Sequence, residues 1–412
     1  MTWFKKLNTQ VNRFYLASFL KNQTYFVPII VLFFQDIGLS YSQIFWVFTI
    51  GAAFSFIIEI PTGIIADLFG QRRSIIFSKF FIFLAFIAFG LSRSFVALLI
   101  ANLIYELGKS FRSGTETAYV FNYLNQEQRH YQATQDQKHL LPSYTKIKIN
   151  QKFYARLSES LAAITGGWVA YRFGFNLVFF LAAIPALFNW LQTLTWVKLD
   201  LESGKQATDN SLKNSWQFLQ SSWRELRGNR QAIRVILNIS FFSAALAALD
   251  KFVQPYMKLS GIELQNFGLF YSAFLIIIAF LVKFAAKLED RWGGENIMNY
   301  SGILVLMLLI LITTFPPSIW LAMLFFVVLM IDNLRSPVAN NLFHELVPDE
   351  KRATLGSILE MVESVNKLWI LPVIGYLADL YTMNVAILLI GALISLNVIF
   401  LRIPRPRAEK VL

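Results

Sequence analysis

Long apolar runs broken by short polar segments fill this chain from its first residues to its last, with a rhythm set by the width of a bilayer. A helix needs about 20 predominantly apolar residues to cross the hydrocarbon core. Twelve runs meet that length, at 13 to 34, 43 to 65, 74 to 91, 95 to 122, 146 to 171, 176 to 197, 231 to 255, 264 to 286, 297 to 313, 318 to 343, 354 to 377 and 384 to 401. Helices are the required element, because backbone groups in lipid must be satisfied within the segment, and the in–out alternation of barrel strands is absent. The first run lacks a small-residue cleavage site and is as long as the others, so it reads as a retained span. The pattern predicts an all-α membrane protein of twelve transmembrane helices.

Composition sharpens that reading. The 412 residues are 56% hydrophobic, include 40 Phe and carry only 15% charged residues, with a mean hydropathy of +0.51; soluble chains carry about 25% charged residues. Lys and Arg concentrate at the N-terminus, in alternate loops and in the C-terminal tail, whereas the remaining loops hold only Arg93, Arg172 and Lys258. The positive-inside rule then places both termini in the cytoplasm and the chain as a multi-pass protein of the cell inner membrane. The net charge of +12 follows from this bias, with lipid as the expected contact and no nucleic acid needed to explain it. The absence of Cys excludes disulfides and thiolate metal sites. No cofactor or metal site is expected.

The runs also repeat. Asp67 and Gly70 recur as Asp290 and Gly293, Gly38 as Gly261, and Arg112-Ser113 as Arg335-Ser336, all at an offset of 223 residues. Further on the offset is 208, pairing Gly167 and Asn176 with Gly375 and Asn384. Two six-helix pseudo-repeats are implied: an N-terminal half over 1–197, a cytoplasmic connecting loop over 198–230 and a C-terminal half over 231–412. Parallel halves of this kind are an architecture of secondary transporters, whose site lies between them near the bilayer midplane.

At the polar junction after the second run stands "GIIADLFGQRR", residues 63 to 73. It resembles the loop motif of the major facilitator superfamily, with Gly63, Ala66, Asp67, Gly70 and Arg72 at the family spacing. "EIPTG", "RSGTETA" and "VPDEKRAT" resemble bacterial members of the drug and metabolite permease type. Leu68 replaces the Arg that usually follows the loop Asp, although Arg291 keeps it in the second copy; "SESLAAITGG" retains only Gly166 and Gly167 of the Gly-Pro run that exporters often carry. The resemblance implies a gate built on Gly63, Asp67, Gly70, Arg72 and Arg73, with Asp290, Arg291 and Gly293 as its second copy. It also implies that the loop Asp meets the cytoplasmic start of the eleventh span, where Asp349 or Thr354 caps a helix N-terminus that favours negative charge.

Charge enters the spans themselves, acids and bases in comparable numbers, as pairing requires at membrane depth. On a helical wheel for the fourth span, Asn102, Tyr105, Glu106, Lys109, Arg112, Ser113 and Glu116 share an arc opposite Leu103, Leu107, Phe111, Gly114 and Ala118. In the eleventh span Glu360, Glu363, Ser364 and Lys367 share a face. Lys21 and Tyr25 in the first span, and Asp332 and Arg335 in the tenth, complete the candidate transport pathway. The competing account is that these are ion pairs that only hold helices together, and that Lys21 snorkels to an interface.

The three His residues, His130, His139 and His344, lie in or beside cytoplasmic loops, and no nucleophile motif is visible, which argues against an enzyme. No GxxxxGK[ST] loop is present for direct ATP coupling. The expected function is secondary active transport of a small organic solute by alternating access in a monomer, as proton-coupled efflux. The alternative is proton-coupled uptake of an organic anion, suggested by Lys21, Lys109, Arg112, Arg335 and Lys367. A transporter-like sensor, a channel and a membrane-embedded enzyme rank below both. "WQFLQSSWREL", residues 216 to 226, suits an amphipathic interfacial helix.

Overall fold

The structure, a computed structural model, describes residues 2–134, 142–199, 230–281, 284–345 and 352–403. Among them lie fifteen helices: α1 (Thr2–Lys21), α2 (Ile30–Asp36), α3 (Tyr41–Phe69), α4 (Gln71–Leu91), α5 (Phe95–Arg112), α6 (Thr115–Thr134), α7 (Tyr144–Phe173), α8 (Phe175–Leu194), α9 (Arg230–Leu259), α10 (Leu264–Leu281), α11 (Ala285–Trp292), α12 (Gly294–Thr314), α13 (Ile319–Glu345), α14 (Arg352–Leu380) and α15 (Met383–Phe400). They fall on the twelve expected spans, with the first and fourth split in two and α11 added in the connection after α10. The interfacial segment 216–226 and the capping candidate Asp349 lie outside the described residues, as does the side chain of Thr354.

Among the described residues, eight helices are long and apolar enough to cross a membrane: α3, α4, α8, α9, α10, α12, α13 and α15. The remaining expected spans are the first, fourth, fifth and eleventh, so the runs that fail on apolarity are those where charge or a helix break intrudes. Large apolar side chains stand exposed, among them Phe188, Met307, Ile399 and Phe400. Exposure of large apolar side chains is a liability in water and the normal condition against lipid tails.

The chain forms two compact units, interleaved in sequence. One comprises residues 1–33, 50–211 and 264–272; the other comprises 34–49, 212–263 and 273–412. In the first, α4 packs on α5 and α8, and α1 packs on α7 and α8. Phe14 meets Tyr119, Tyr123 and Trp196 edge-on, with ring centroids 5.1 to 6.0 Å apart. The C-terminal end of α8 leaves carbonyls that helix geometry cannot satisfy. Arg13 donates to the Thr195 carbonyl at 2.6 Å, Arg72 to that of Leu194 and Tyr119 to that of Val197. Close backbone approach is permitted by glycine: a Cβ on Gly166 would collide with the Tyr25 carbonyl, and one on Gly268 with the Ala163 carbonyl. In the second unit α9 packs on α13, α14 and α15, and Val235, Ile236, Val338 and Ile358 share one buried cluster.

The repeat is visible in the backbone. Gly38 and Gly261 have φ of 94° and 75°, and Gly70 and Gly293 have 90° and 77°; only glycine reaches such values at little cost. The same offset therefore returns the same left-handed turn before a helix. The fourth span departs from the continuous helix of the wheel: α5 stops at Arg112, Gly114 takes φ 67°, and α6 starts at Thr115. Glu116 thus belongs to the first turn of a new helix, where its charge suits the positive end of the helix dipole.

Within the second unit, the start of α3 is capped twice. Ser40 and Gln43 form a capping box, with the Ser40 N–H donating to Gln43 at 3.1 Å and the Gln43 N–H to Ser40 Oγ at 3.4 Å. From the far end of the sequence, Asp379 accepts the Tyr41 N–H at 2.8 Å and the Ser42 N–H at 2.7 Å. Burial raises the Asp379 carboxyl, but hydrogen bonds from Ser42, Ser40 and Tyr41 outweigh it and hold the group below its ordinary range. A depressed carboxyl stabilises the fold fully above its unfolded value, about pH 3.9, and loses that contribution as pH falls through the folded value. Asp379→Asn should therefore lower stability by about 0.5–1 kcal/mol at pH 7, and the gap to the parent should narrow towards pH 3. Thermal unfolding in detergent across that range checks both.

Candidate functional site

Two helix breaks in the first unit bring charge together. The first span ends its helix at Lys21 and runs without regular helix to α2, and the fourth breaks at Ser113 and Gly114. Discontinuous helices free backbone groups and turn side chains inward, a device of transporter binding sites. At the junction, three cations converge on one oxygen of Glu116: Lys21 Nζ at 3.3 Å, Lys79 Nζ at 3.5 Å and Arg112 Nε at 3.8 Å. Glu116 and Lys79 are buried, with Lys79 only 2% exposed, while Lys21 and Arg112 remain partly open.

Beside this cluster lies a cavity of about 330 Å³. Lys21, Arg112 and Glu116 line it, joined by Lys148 and Lys152 from α7. Neutral neighbours are already engaged. Ser18 donates to the Gln151 carbonyl at 2.8 Å, the Asn22 amide to the Ser18 carbonyl at 2.6 Å, and the Gln151 amide to the Phe14 carbonyl at 3.5 Å. Lys148 reaches Thr117 Oγ1 at 3.3 Å. Chemically the cavity offers unneutralised cations to whatever enters it.

The other sequence candidates are dispersed. Glu106 and Lys109 pair with each other at 2.9 Å, and Lys109 lies 5.6 Å from the Tyr105 ring, which itself packs on Phe26, Phe86 and Phe89. Asn102 is buried against Gly51, where any Cβ would strike its amide. Ser113 donates to Glu59 at 2.6 Å. Tyr25 contributes its carbonyl to the contact with Gly166 and does not line the cavity. Glu363 and Lys367 pair at 2.5 Å in α14, near exposed Glu360. Arg335 is 2% exposed, donates to Asn238 and lies 3.8 Å over the Phe242 ring, tying α13 to α9. Asp332 lies one turn before it in α13.

Among the gate residues, Asp67, Arg73, Asp290 and Arg291 are exposed, Gly63 has open space around it, and Gly70 and Gly293 supply the turns. Arg72 caps α8, as described. Lys79, Lys148 and Lys152 are the residues that sequence reasoning did not assign to the site. Lys148 and Lys152 sit at the start of the fifth span, where positive charge reads as ordinary cytoplasmic flanking; their i, i+4 spacing on one helix face was the available signal.

The offset of 223 separates scaffold from elaboration. It carries Arg112 onto Arg335, but Lys21, Lys79 and Glu116 onto Ala244, Gly302 and Ala339. Both repeats keep the arginine; in the first it borders the Glu116 cluster and a cavity, and in the second it is buried against Asn238 and Phe242.

Residues 14–131 and 155–366 match the model of the Major Facilitator Superfamily. An uncharacterized MFS-type transporter of Bacillus subtilis (strain 168), YxaM, is 19% identical over 378 residues, covering 91% of this chain and 90% of that one. The nucleoside transporter NupG is similar in structure at 13% identity, with a TM-score of 0.71 over 96% of this chain and 98% of that one. A D-xylose–proton symporter is similar at 15% identity, with a TM-score of 0.69 over 96% and 97%. At such identities the structural likeness speaks for the fold alone.

The contrast between the two repeat-related arginines is testable. Arg335→Ala should cost about 2–4 kcal/mol, since it leaves Asn238 without its donor and a void under Phe242. Arg112→Gln should cost about 1 kcal/mol or less, because Glu116 keeps two other cations. Unfolding midpoints of the two purified variants give the comparison.

Proposed function

The chain belongs to the major facilitator superfamily, a family of membrane transporters, and we propose that it moves a small organic anion by alternating access. The observation that carries the substrate charge is the cluster on Glu116: three cations share one carboxylate beside a cavity that two further lysines line. A neutral solute would leave that surplus uncompensated at membrane depth, and a cation would add to it. The anion reading, an alternative at the level of sequence, is thereby preferred to a solute of unspecified charge.

The proposed moving bodies are the sequence halves 1–197 and 231–412, joined through 198–230, with both termini cytoplasmic. Protons are the proposed coupling ion. Glu116 is committed to three cations and Glu363 to Lys367, so the proposed proton path starts at Asp332 and Glu360 of α13 and α14. Asp67 is proposed as one half of a cytoplasmic latch, its carboxylate accepting from the N–H groups at the start of α14.

In inverted vesicles, small organic anions should move in response to a proton gradient, and Arg112→Gln should reduce that flux by about tenfold or more. Movement of neutral or cationic solutes with anions excluded would overturn the reading. Separately, Asp67→Asn should lower turnover while leaving the half-saturation concentration nearly unchanged, since a latch shifts populations of states rather than contacts with substrate. Flux measured over a range of substrate concentrations separates the two parameters.

A further inference from the structure

Resting on the transport reading, the cavity has a more specific consequence: we infer that it takes a small dianionic solute, a phosphate monoester or a short dicarboxylate. Glu116 serves there as the internal counter-ion that such a solute displaces from its cations.

Charge balance comes first. Lys21, Arg112, Lys148 and Lys152 line the cavity together with the single carboxylate of Glu116, and Lys79 adds a further cation behind it. Neither Lys148 nor Lys152 forms a salt bridge among the described residues. Four cations against one acid leave three positive charges on the wall; a monoanion would leave two, and a dianion one. Lys152 is exposed and Lys148 half-buried, so water screens part of that surplus, but Lys21 and Arg112 stand partly buried beside Glu116, where a second negative charge on the solute adds to the gain.

Geometry supports the same head group. Ser18, Asn22 and Gln151 on the wall each donate one hydrogen bond within the protein, and Thr117 accepts from Lys148, so the charged donors that an entering anion meets are ammonium and guanidinium groups. The closest approach of Arg112 to Glu116 is Nε at 3.8 Å, beyond hydrogen-bond range, so the guanidinium fork can take a carboxylate or a phosphate. At about 330 Å³ the cavity is at the small end of ligand sites, about 300–1,000 Å³. The missing counterparts Ala244, Gly302 and Ala339 show that the repeat folds without this cluster. That asymmetry is what a ligand site requires and a scaffold does not.

The test is binding to the purified full chain in phosphatidylcholine nanodiscs, with inorganic phosphate and succinate as probes and acetate and chloride as controls at equal ionic strength. Phosphate or succinate should bind about tenfold or more tightly than acetate. Arg112→Gln and Lys148→Gln should each weaken that binding by about tenfold, while Arg156→Gln, at an exposed pair with Glu159, should leave it intact. Glu116→Gln should lower the unfolding midpoint, and phosphate or succinate should restore most of the loss where acetate does not. Dianions no better than acetate, or binding that survives Lys148→Gln and Arg112→Gln together, would overturn the inference. So would full stabilisation by phosphatidic acid with no response to the free probes, which would assign the cavity to a lipid headgroup. Vesicle flux that persists without dianion binding would sink this inference and spare the transport reading; absent flux would sink the latter.

Discussion

The constraint on which the rest depends is the expense of an unpaired charge away from water. Glu116 is buried in the first unit, and its carboxylate is tolerable because Lys21, Lys79 and Arg112 all stand within 3.8 Å. Those cations arrive from three different spans: Lys79 projects from within α4, whereas Lys21, Arg112 and Glu116 itself stand where a helix ends or begins. α1 stops at Lys21, α5 stops at Arg112, and Gly114 turns the chain so that Glu116 opens α6. Backbone irregularity and charge are therefore one feature: the breaks aim the charges, and the charges reward the breaks. Cations outnumber the acid at this cluster.

Repetition supplies the scaffold against which this site stands out. Paired glycines at Gly38 and Gly261, and at Gly70 and Gly293, hold the same left-handed turns in both repeats. The related arginines have diverged. Arg112 is partly open beside a cavity, whereas Arg335 is sealed between Asn238 and the Phe242 ring. Replacing Lys21, Lys79 and Glu116 by Ala244, Gly302 and Ala339 in the second repeat removes the charges that would need water or ligand. The arginine of one repeat is thereby a buried tie, and that of the other borders a cavity.

Long-range caps do a second kind of work. Asp379 binds the first two N–H groups of α3 from 337 and 338 residues away, and Arg13, Arg72 and Tyr119 close the end of α8. Helix ends carry unsatisfied groups wherever they fall, so a membrane protein that breaks its helices must find partners for them in other segments. The motif residue Arg72 is spent in this way. Its position in the loop motif is readable from the sequence, but the carbonyl it serves is not.

Span number, helical character and the repeat were legible without coordinates, because they follow from local quantities: about 20 apolar residues per crossing, and glycines at a fixed offset. The wheel of the fourth span grouped Arg112 with Glu116 correctly but treated as one helix what Gly114 divides, since a glycine tolerates the helical and the left-handed backbone alike. Lys148 and Lys152 were hidden because flanking positive charge has a sufficient explanation in membrane topology. Arg335 and Arg112 look equivalent in sequence; only packing made one a buried tie and the other a wall of a cavity. Composition and periodicity determine how many helices cross and which residues are charged. Which cation meets which acid depends on side chains from spans far apart in sequence converging within a few ångströms, and that was decided by the tertiary structure.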